Sequence, residues 1–314
     1  MLLVVLMYAM WSSVFPFGKL ALEHSPPIFL TAFRMLLAGG ILFGYLALRK
    51  KQALRLTKWQ FGSLAILGFF SIYLTNILEF WGLQYLTAAK VCFIYSLSPF
   101  FAALFSYLHF KEKINRTKFF GFAIGFLGFI PVLTMQSGPD GFLSTFKGIS
   151  YPELAIMGAA LFSVYGWVLL RVVVKDSAVS PLAANGVSML IGGAMALIHS
   201  FFVESWVPSP LSEAHFGTCF KLVAIMTVIS NIVCYNLYGF MLKKYTATFL
   251  SFMGLLSPIF ASITSWILIG ERPSWVIFCS TALLSTGLFI VYRAELRQGY
   301  IKKSSPEAVP TISA

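Results

Sequence analysis

Three ionisable side chains lie inside long apolar stretches of this sequence, where a charge is costly to bury. They are Arg34, Glu79 and Lys90. On the scale of membrane insertion, an Arg, Lys or Asp at the centre of a spanning helix costs about 2.5–3.5 kcal/mol. Charged groups at such depth usually contact a substrate, an ion or one another, so all three are candidate substrate-binding residues.

Glu79 and Lys90 lie near the facing ends of two consecutive apolar stretches that a short turn connects. The two side chains are able to reach one another, or to hold opposite ends of a zwitterionic substrate. The alternative is a structural ion pair, or two side chains that extend to the membrane surface. Arg34 lies about 10 Å deep by the rise of a helix, and substrate contact and a structural or gating role both fit it.

Neutral polar and aromatic side chains accompany these charges. Asn231 and Tyr235 are four residues apart, so they share one face of a helix. Buried polar groups need partners, and a water-filled cavity or a neighbouring helix supplies them equally well for any single residue. Taken together they predict a polar cavity with aromatic walls. The candidates of this kind are Trp11, Tyr73, Asn76, Tyr165, Asn231 and Tyr235.

The elements that position these residues are transmembrane helices. The chain has 314 residues, of which 58% are hydrophobic and only 11% are charged, against about 25% charged in soluble domains. Apolar stretches of a length that crosses about 30 Å of hydrocarbon recur along it. Ten spans are predicted: Met1–Leu20, Pro27–Leu48, Phe61–Trp81, Leu86–Leu108, Phe119–Thr134, Leu154–Val174, Pro181–Phe202, Phe220–Phe240, Thr246–Ile269 and Trp275–Tyr292.

The basic residues orient these spans. Seventeen of the 23 Lys and Arg residues fall in the loops on one side and in the tail, against four in the loops on the other side. Cytoplasmic loops carry the excess of Lys and Arg, so both termini are predicted to be cytoplasmic. The net charge of +12 therefore reflects membrane orientation, and no nucleic-acid partner is expected.

The chain also repeats itself. Thr87, Ser98, Pro99 and Glu112 correspond to Thr246, Ser257, Pro258 and Glu271 at a constant offset of 159 residues. A repeat of five spans must lie inverted in its second copy. We therefore expect an all-α membrane protein with two inverted five-helix repeats, residues 1–134 and 154–292, a connecting loop 135–153 and a cytoplasmic tail 293–314.

Pro99 and Pro258 are candidate hinges. A proline inside a helix removes a hydrogen bond and clashes with the carbonyl four residues earlier, here that of Tyr95 or Gly254. The freed carbonyl lines a cavity in one interpretation. In the other, the proline produces a static kink that packing tolerates.

Four segments resemble the motifs of the EamA family, in the drug/metabolite transporter superfamily. They are Trp11–Leu22, Arg34–Ala38, Leu97–Ala103 with Glu112 and Lys113, and Leu256–Ala261 with Gly270, Glu271 and Arg272. The resemblance covers nearly the whole chain and implies ten helices, a central cavity and transport of small metabolites across a bacterial inner membrane. Glu79 and Lys90 fall where the family usually has apolar, aromatic or small residues.

A secondary transporter is the predicted function. No metalloprotease, serine-hydrolase or phosphate-loop motif is present, so neither a multi-pass membrane enzyme nor a nucleotide-driven pump is favoured, and no cofactor or metal is expected. The charges and rings fit an amino-acid-like substrate with a cationic centre and an aromatic part. S-adenosylmethionine, exchanged for S-adenosylhomocysteine as counter-substrate, is the specific prediction. Export of amino acids or drugs, and coupling to an ion, are the alternatives.

Overall fold

The computed structural model describes residues 2–110, 115–134, 145–146, 149–176, 179–206, 216–242, 250 and 253–297. Within these ranges the chain is almost entirely helical. The helices are α1 (Leu2–Leu22), α2 (Pro27–Arg49), α3 (Lys58–Leu83), α4 (Ala88–Tyr95), α5 (Ser98–Phe110), α6 (Arg116–Thr134), α7 (Tyr151–Asp176), α8 (Pro181–Val203), α9 (Phe216–Met241), α10 (Ser257–Ile269) and α11 (Trp275–Arg297).

Seven helices of the described chain are long and apolar enough to cross a membrane, and two shorter apolar stretches, Ala88–Ala102 and Gly254–Ile269, accompany them. Many large apolar side chains on their outer surfaces are exposed, as a lipid-facing surface requires. The predicted all-α membrane architecture is confirmed. Two-residue strands, β1 (Thr145–Phe146) and β2 (Ile149–Ser150), form a small antiparallel pair before α7.

The fourth predicted span is not one continuous helix. α4 ends at Tyr95 and α5 begins at Ser98, so Pro99 lies in the first turn of a new helix. Pro258 likewise lies in the first turn of α10. The first turn of a helix has no internal partner for the N–H that proline lacks. Each proline thus begins an α-helical segment, a short turn separates α4 from α5 before Pro99, and the Tyr95 carbonyl accepts a hydrogen bond from the Ser98 hydroxyl at 2.6 Å. The role of both prolines as hinges stays a prediction.

Two helices contain a wider, π-helical segment. It covers Gly68–Leu74 in α3 and Thr227–Cys234 in α9. Such segments leave backbone carbonyls without their usual partners and often occur at functional sites. Nothing in the apolar pattern of the sequence distinguished them from ordinary helix.

Two pairs of helices lie in close contact through glycine. A Cβ on Gly39 of α2 would lie 2.9 Å from the backbone nitrogen of Leu190 in α8. A Cβ on Gly287 of α11 would lie 2.5 Å from the carbonyl oxygen of Gly121 in α6. Only glycine allows backbones to approach so closely, and such contacts are a common way for helices to associate in lipid.

Several predicted features lie outside the described residues: Glu112 and Lys113, most of the connecting loop, the start of the ninth span and the tail after Arg297. The described end of that loop differs from expectation. α7 begins at Tyr151, three residues before the predicted start, and so includes Glu153 in its first turn.

Candidate functional site

A cavity lies between α1, α2, α3, α4, α7 and α9, and reaches Gly254 and Ser257 at the start of α10. It contains about 950 Å³ of atom-free space, including its open mouth. Its lining includes a polar cluster around Arg34, Asn76 and Glu79, called here the polar end, and an adjoining cluster of aromatic rings around Trp11 and Trp167, called the aromatic end.

Arg34 lines the polar end and is only 2% exposed. One of its terminal nitrogens donates a hydrogen bond to Asn76 Oδ1 at 2.5 Å, and its guanidinium carbon lies 4.7 Å from the centre of the Phe80 ring. Its Nε is buried and has no hydrogen-bond partner among the described residues. A buried donor without an acceptor is costly, and the guanidinium as a whole gives the cavity a positive charge that is suited to an anionic group.

Asn76 is fixed by the π-helical segment of α3. Its Nδ2 donates to the carbonyl oxygens of Ser71 at 3.3 Å and Ile72 at 2.8 Å. The amide nitrogen satisfies carbonyls within that segment, and the amide oxygen is thereby directed to Arg34. The π-helical segment of α3 therefore orients the Arg34 guanidinium.

Glu79 supplies the carboxylate of the polar end. Its Oε2 accepts a hydrogen bond from the Tyr95 hydroxyl at 2.5 Å, and its charge attracts the Arg34 guanidinium. A carboxylate and a guanidinium that face one cavity can bind the ammonium and the carboxylate of an amino acid.

Aromatic rings from three helices form the other end. Trp11 of α1 lies 5.3 Å from Tyr235 and 5.7 Å from Trp167, measured between ring centres. Trp167 of α7 lies 4.3 Å from Tyr238 of α9. The faces of such rings attract cations and stack on planar bases.

The structure brings five of the predicted site residues together at this cavity. They are Trp11, Arg34, Asn76, Glu79 and Tyr235. Tyr8 also lines it and was missed, although Tyr8, Trp11 and Phe15 recur at the spacing of one helical face. That periodicity was the signal available in the sequence.

Three predicted neutral residues do not line this cavity in the described chain. The Tyr73 hydroxyl pairs with His199 Nδ1 at 3.1 Å and so links α3 to α8. Tyr165 packs its ring against Phe70 at 5.1 Å. Asn231 is fully buried and donates to the Met35 sulfur at 3.1 Å. Each connects neighbouring helices, which was the alternative interpretation.

Lys90 also lies off the cavity, and it does not pair with Glu79. Its Nζ lies 2.5 Å from Glu153 Oε1, and both side chains are buried. The other oxygen of Glu153 accepts hydrogen bonds from the Ser150 backbone N–H at 2.6 Å and hydroxyl at 2.8 Å. Of the alternatives for Lys90, mutual contact with Glu79 is therefore wrong and a structural ion pair is present, with a carboxylate that the first turn of α7 supplies.

A second ion pair joins α1 to the loop after α10. Lys19 Nζ lies 2.7 Å from Glu271 Oε1 and also donates to the Leu86 carbonyl at 2.9 Å. Glu271 Oε2 accepts the backbone N–H of Ala88, the first residue of α4, at 3.3 Å. α4 is therefore held at its first turn by two ion pairs.

Comparison with known proteins places these observations in a family. The model of the EamA-like transporter family matches residues 1–134 and 150–293. S-adenosylmethionine/S-adenosylhomocysteine transporters of Chlamydia trachomatis (serovar L2) and Chlamydia muridarum are each 36% identical to this chain over 304 residues. The alignments cover 96% of this chain and 91% and 94% of those proteins.

A solved crystal structure of another protein resembles this fold with a TM-score of 0.68 and 18% sequence identity. The match covers 94% of this chain and 97% of that one. At that identity the likeness shows a shared fold.

Proposed function

This chain belongs to the EamA-like transporter family, and we propose that it exchanges S-adenosylmethionine for S-adenosylhomocysteine. The observation that carries the proposal is one cavity that presents a buried guanidinium, a carboxylate and a cluster of aromatic rings. The family assignment removes the multi-pass enzyme alternative. The relatives named S-adenosylmethionine/S-adenosylhomocysteine transporters align along almost the whole chain.

The amino-acid end of the substrate fits the polar end of the cavity. Its carboxylate would accept a hydrogen bond from the Arg34 guanidinium, which lines the cavity. Its ammonium would donate to Glu79, which already accepts from Tyr95. Hydrogen bonds between charged partners are about twice as strong as neutral ones, which favours a zwitterionic group here.

The adenosine end fits the aromatic end. Adenine is a planar base that stacks on Trp or Tyr, and the sulfonium is a cation that the faces of Trp11, Trp167 and Tyr235 attract. Both substrates share the amino-acid and adenine groups, so both would bind in one orientation. An exchange needs this shared recognition.

Ten helices in two inverted repeats are the architecture that we propose for the exchange. The two π-helical segments, Gly68–Leu74 and Thr227–Cys234, begin 159 residues apart. Asn236 repeats the arrangement of Asn76, since its Nδ2 donates to the carbonyls of Asn231 and Ile232. Inverted repeats of this kind support alternating access to a site between them.

In the second half, Asn185 of α8 donates to Asn236 Oδ1 at 3.0 Å, as Arg34 of α2 donates to Asn76 in the first. The matching contacts support the repeat. The donor is an asparagine in the second half and an arginine in the first, and this difference gives the two halves different roles. Only the first half carries a charged donor at this point.

We place the protein in a bacterial inner membrane with both termini cytoplasmic, as the distribution of basic residues indicates.

The test is exchange by purified protein in liposomes. Liposomes loaded with S-adenosylhomocysteine should take up labelled S-adenosylmethionine quickly, empty ones should take up little, and excess external S-adenosylhomocysteine should block uptake. Absence of uptake, or uptake that the competitor leaves unchanged, would overturn the proposal. Movement of amino acids or drugs in its place would favour the exporter alternative.

A further inference from the structure

The charges that face the cavity cancel. Among its lining residues in the described chain, Arg34 and Glu79 are the two that carry a formal charge at neutral pH. Serine, threonine, asparagine and aromatic side chains supply the other polar groups, and these are neutral. The protein therefore contributes a net charge of zero to the binding site.

The contacts of both groups in the cavity favour their charged forms. Arginine does not lose its proton in proteins. Glu79 accepts from the Tyr95 hydroxyl at 2.5 Å and is attracted by the Arg34 guanidinium. Both interactions favour the carboxylate, whereas burial favours the neutral acid. A second carboxylate, which could take up a proton in exchange, does not line the cavity in the described residues.

The other charges near α4 are already paired. Lys90 lies against Glu153 at 2.5 Å, and Lys19 against Glu271 at 2.7 Å. Each pair is neutral as a unit, so movement of α4 with its partners would not transfer a net charge. The charge on the cargo is therefore left uncompensated.

We propose that each exchange carries one positive charge into the cell, which makes the transport electrogenic and directional. This inference rests on the proposed function. S-adenosylmethionine has one carboxylate, one ammonium and one sulfonium, and so a net charge of +1. S-adenosylhomocysteine lacks the methyl group and the sulfonium charge, and is neutral overall. The entry of one and the exit of the other differ by one charge.

The membrane potential then drives uptake. One charge that crosses 100 mV changes the free energy by about 2.3 kcal/mol, which corresponds to about a fifty-fold change in an equilibrium ratio. With the inside negative, the ratio of S-adenosylmethionine to S-adenosylhomocysteine inside the cell would exceed the same ratio outside by this factor. A cell at that potential accumulates S-adenosylmethionine relative to S-adenosylhomocysteine without coupling to an ion or to ATP.

The experiment measures the final distribution of both substrates in liposomes that contain the purified protein. Valinomycin and potassium gradients set the potential to −100, 0 or +100 mV at equal pH. The quantity to compare is the product of internal S-adenosylmethionine and external S-adenosylhomocysteine, divided by the product of external S-adenosylmethionine and internal S-adenosylhomocysteine. It should be about fifty at −100 mV, one at 0 mV and one fiftieth at +100 mV. Exchange of labelled for unlabelled S-adenosylmethionine should reach equal specific activity at all three potentials.

Three results would overturn the inference. Exchange with the same final distribution at every potential would show electroneutral transport and leave the proposed function intact. A distribution that follows an imposed pH gradient would show that a proton compensates the charge, and Glu79→Gln would then restore the dependence on potential. If no exchange occurs at all, both the proposed function and this inference fail.

Discussion

The buried ion pair between Lys90 and Glu153 yields a prediction that separates a structural role from a substrate-binding one. The two residues are 4% and 3% exposed, so solvent screens their interaction little. Lys90→Met would leave the Glu153 carboxylate buried with Ser150 as its neighbour. Removing one member of a buried pair typically costs about 3–5 kcal/mol, and we expect the free energy of unfolding to fall by that amount.

The matched control is the double variant Lys90→Met, Glu153→Gln. It contains no unpaired charge, and the glutamine oxygen still accepts from the Ser150 backbone N–H. We expect it to recover most of the lost stability, because neutral replacement of a whole buried pair is often harmless. It should also exchange substrate at a rate close to that of the wild type, since the pair lies off the cavity.

The assay is thermal unfolding of the purified variants in detergent, followed by tryptophan fluorescence, together with exchange in liposomes. If Lys90→Met were as stable as the wild type, or the double variant no more stable than the single one, the pairing would be refuted. If the stable double variant failed to transport, the substrate-binding role predicted for Lys90 from sequence would be correct.

Three further results are expected. Glu79→Gln should weaken substrate binding about 10- to 100-fold, because a hydrogen bond to a charged group contributes about 1.5–3 kcal/mol; titration calorimetry measures the loss. Gly287→Ala should destabilise the protein by about 1–3 kcal/mol, since the new Cβ would lie 2.5 Å from the Gly121 carbonyl oxygen. Cysteines introduced in the loop 49–58 should react with labels only from the cytoplasmic side, and labelling from outside would contradict the proposed orientation.

The cavity could be predicted from sequence where composition alone marks a residue. Arg34 and Glu79 stand out because charges within apolar stretches are rare, and both line the cavity. Asn76 lies three residues before Glu79 in the sequence and therefore shares its helical face, which made Asn76 a candidate. Single polar residues such as Tyr73 could not be assigned, because a hydrogen bond to a neighbouring helix and contact with a cavity need the same side chain.

The remaining features depend on tertiary structure. Glu153 was placed in a loop, because the end of a helix cannot be fixed to within three residues from an apolar pattern. The sequence alone therefore offered Glu79 as the nearest acid to Lys90. The π-helical segments produce no distinct apolar periodicity over seven or eight residues, although the segment in α3 orients Asn76 and thereby Arg34.

The most direct test of the central claim is calorimetric titration of S-adenosylmethionine into the purified protein and two variants. Glu79→Gln alters the carboxylate of the cavity, whereas Tyr73→Phe removes a hydroxyl that pairs with His199 away from it. We predict that Glu79→Gln weakens binding at least tenfold and that Tyr73→Phe binds as the wild type does. Unchanged affinity in Glu79→Gln, or a loss confined to Tyr73→Phe, would show that the substrate binds elsewhere and would contradict this account.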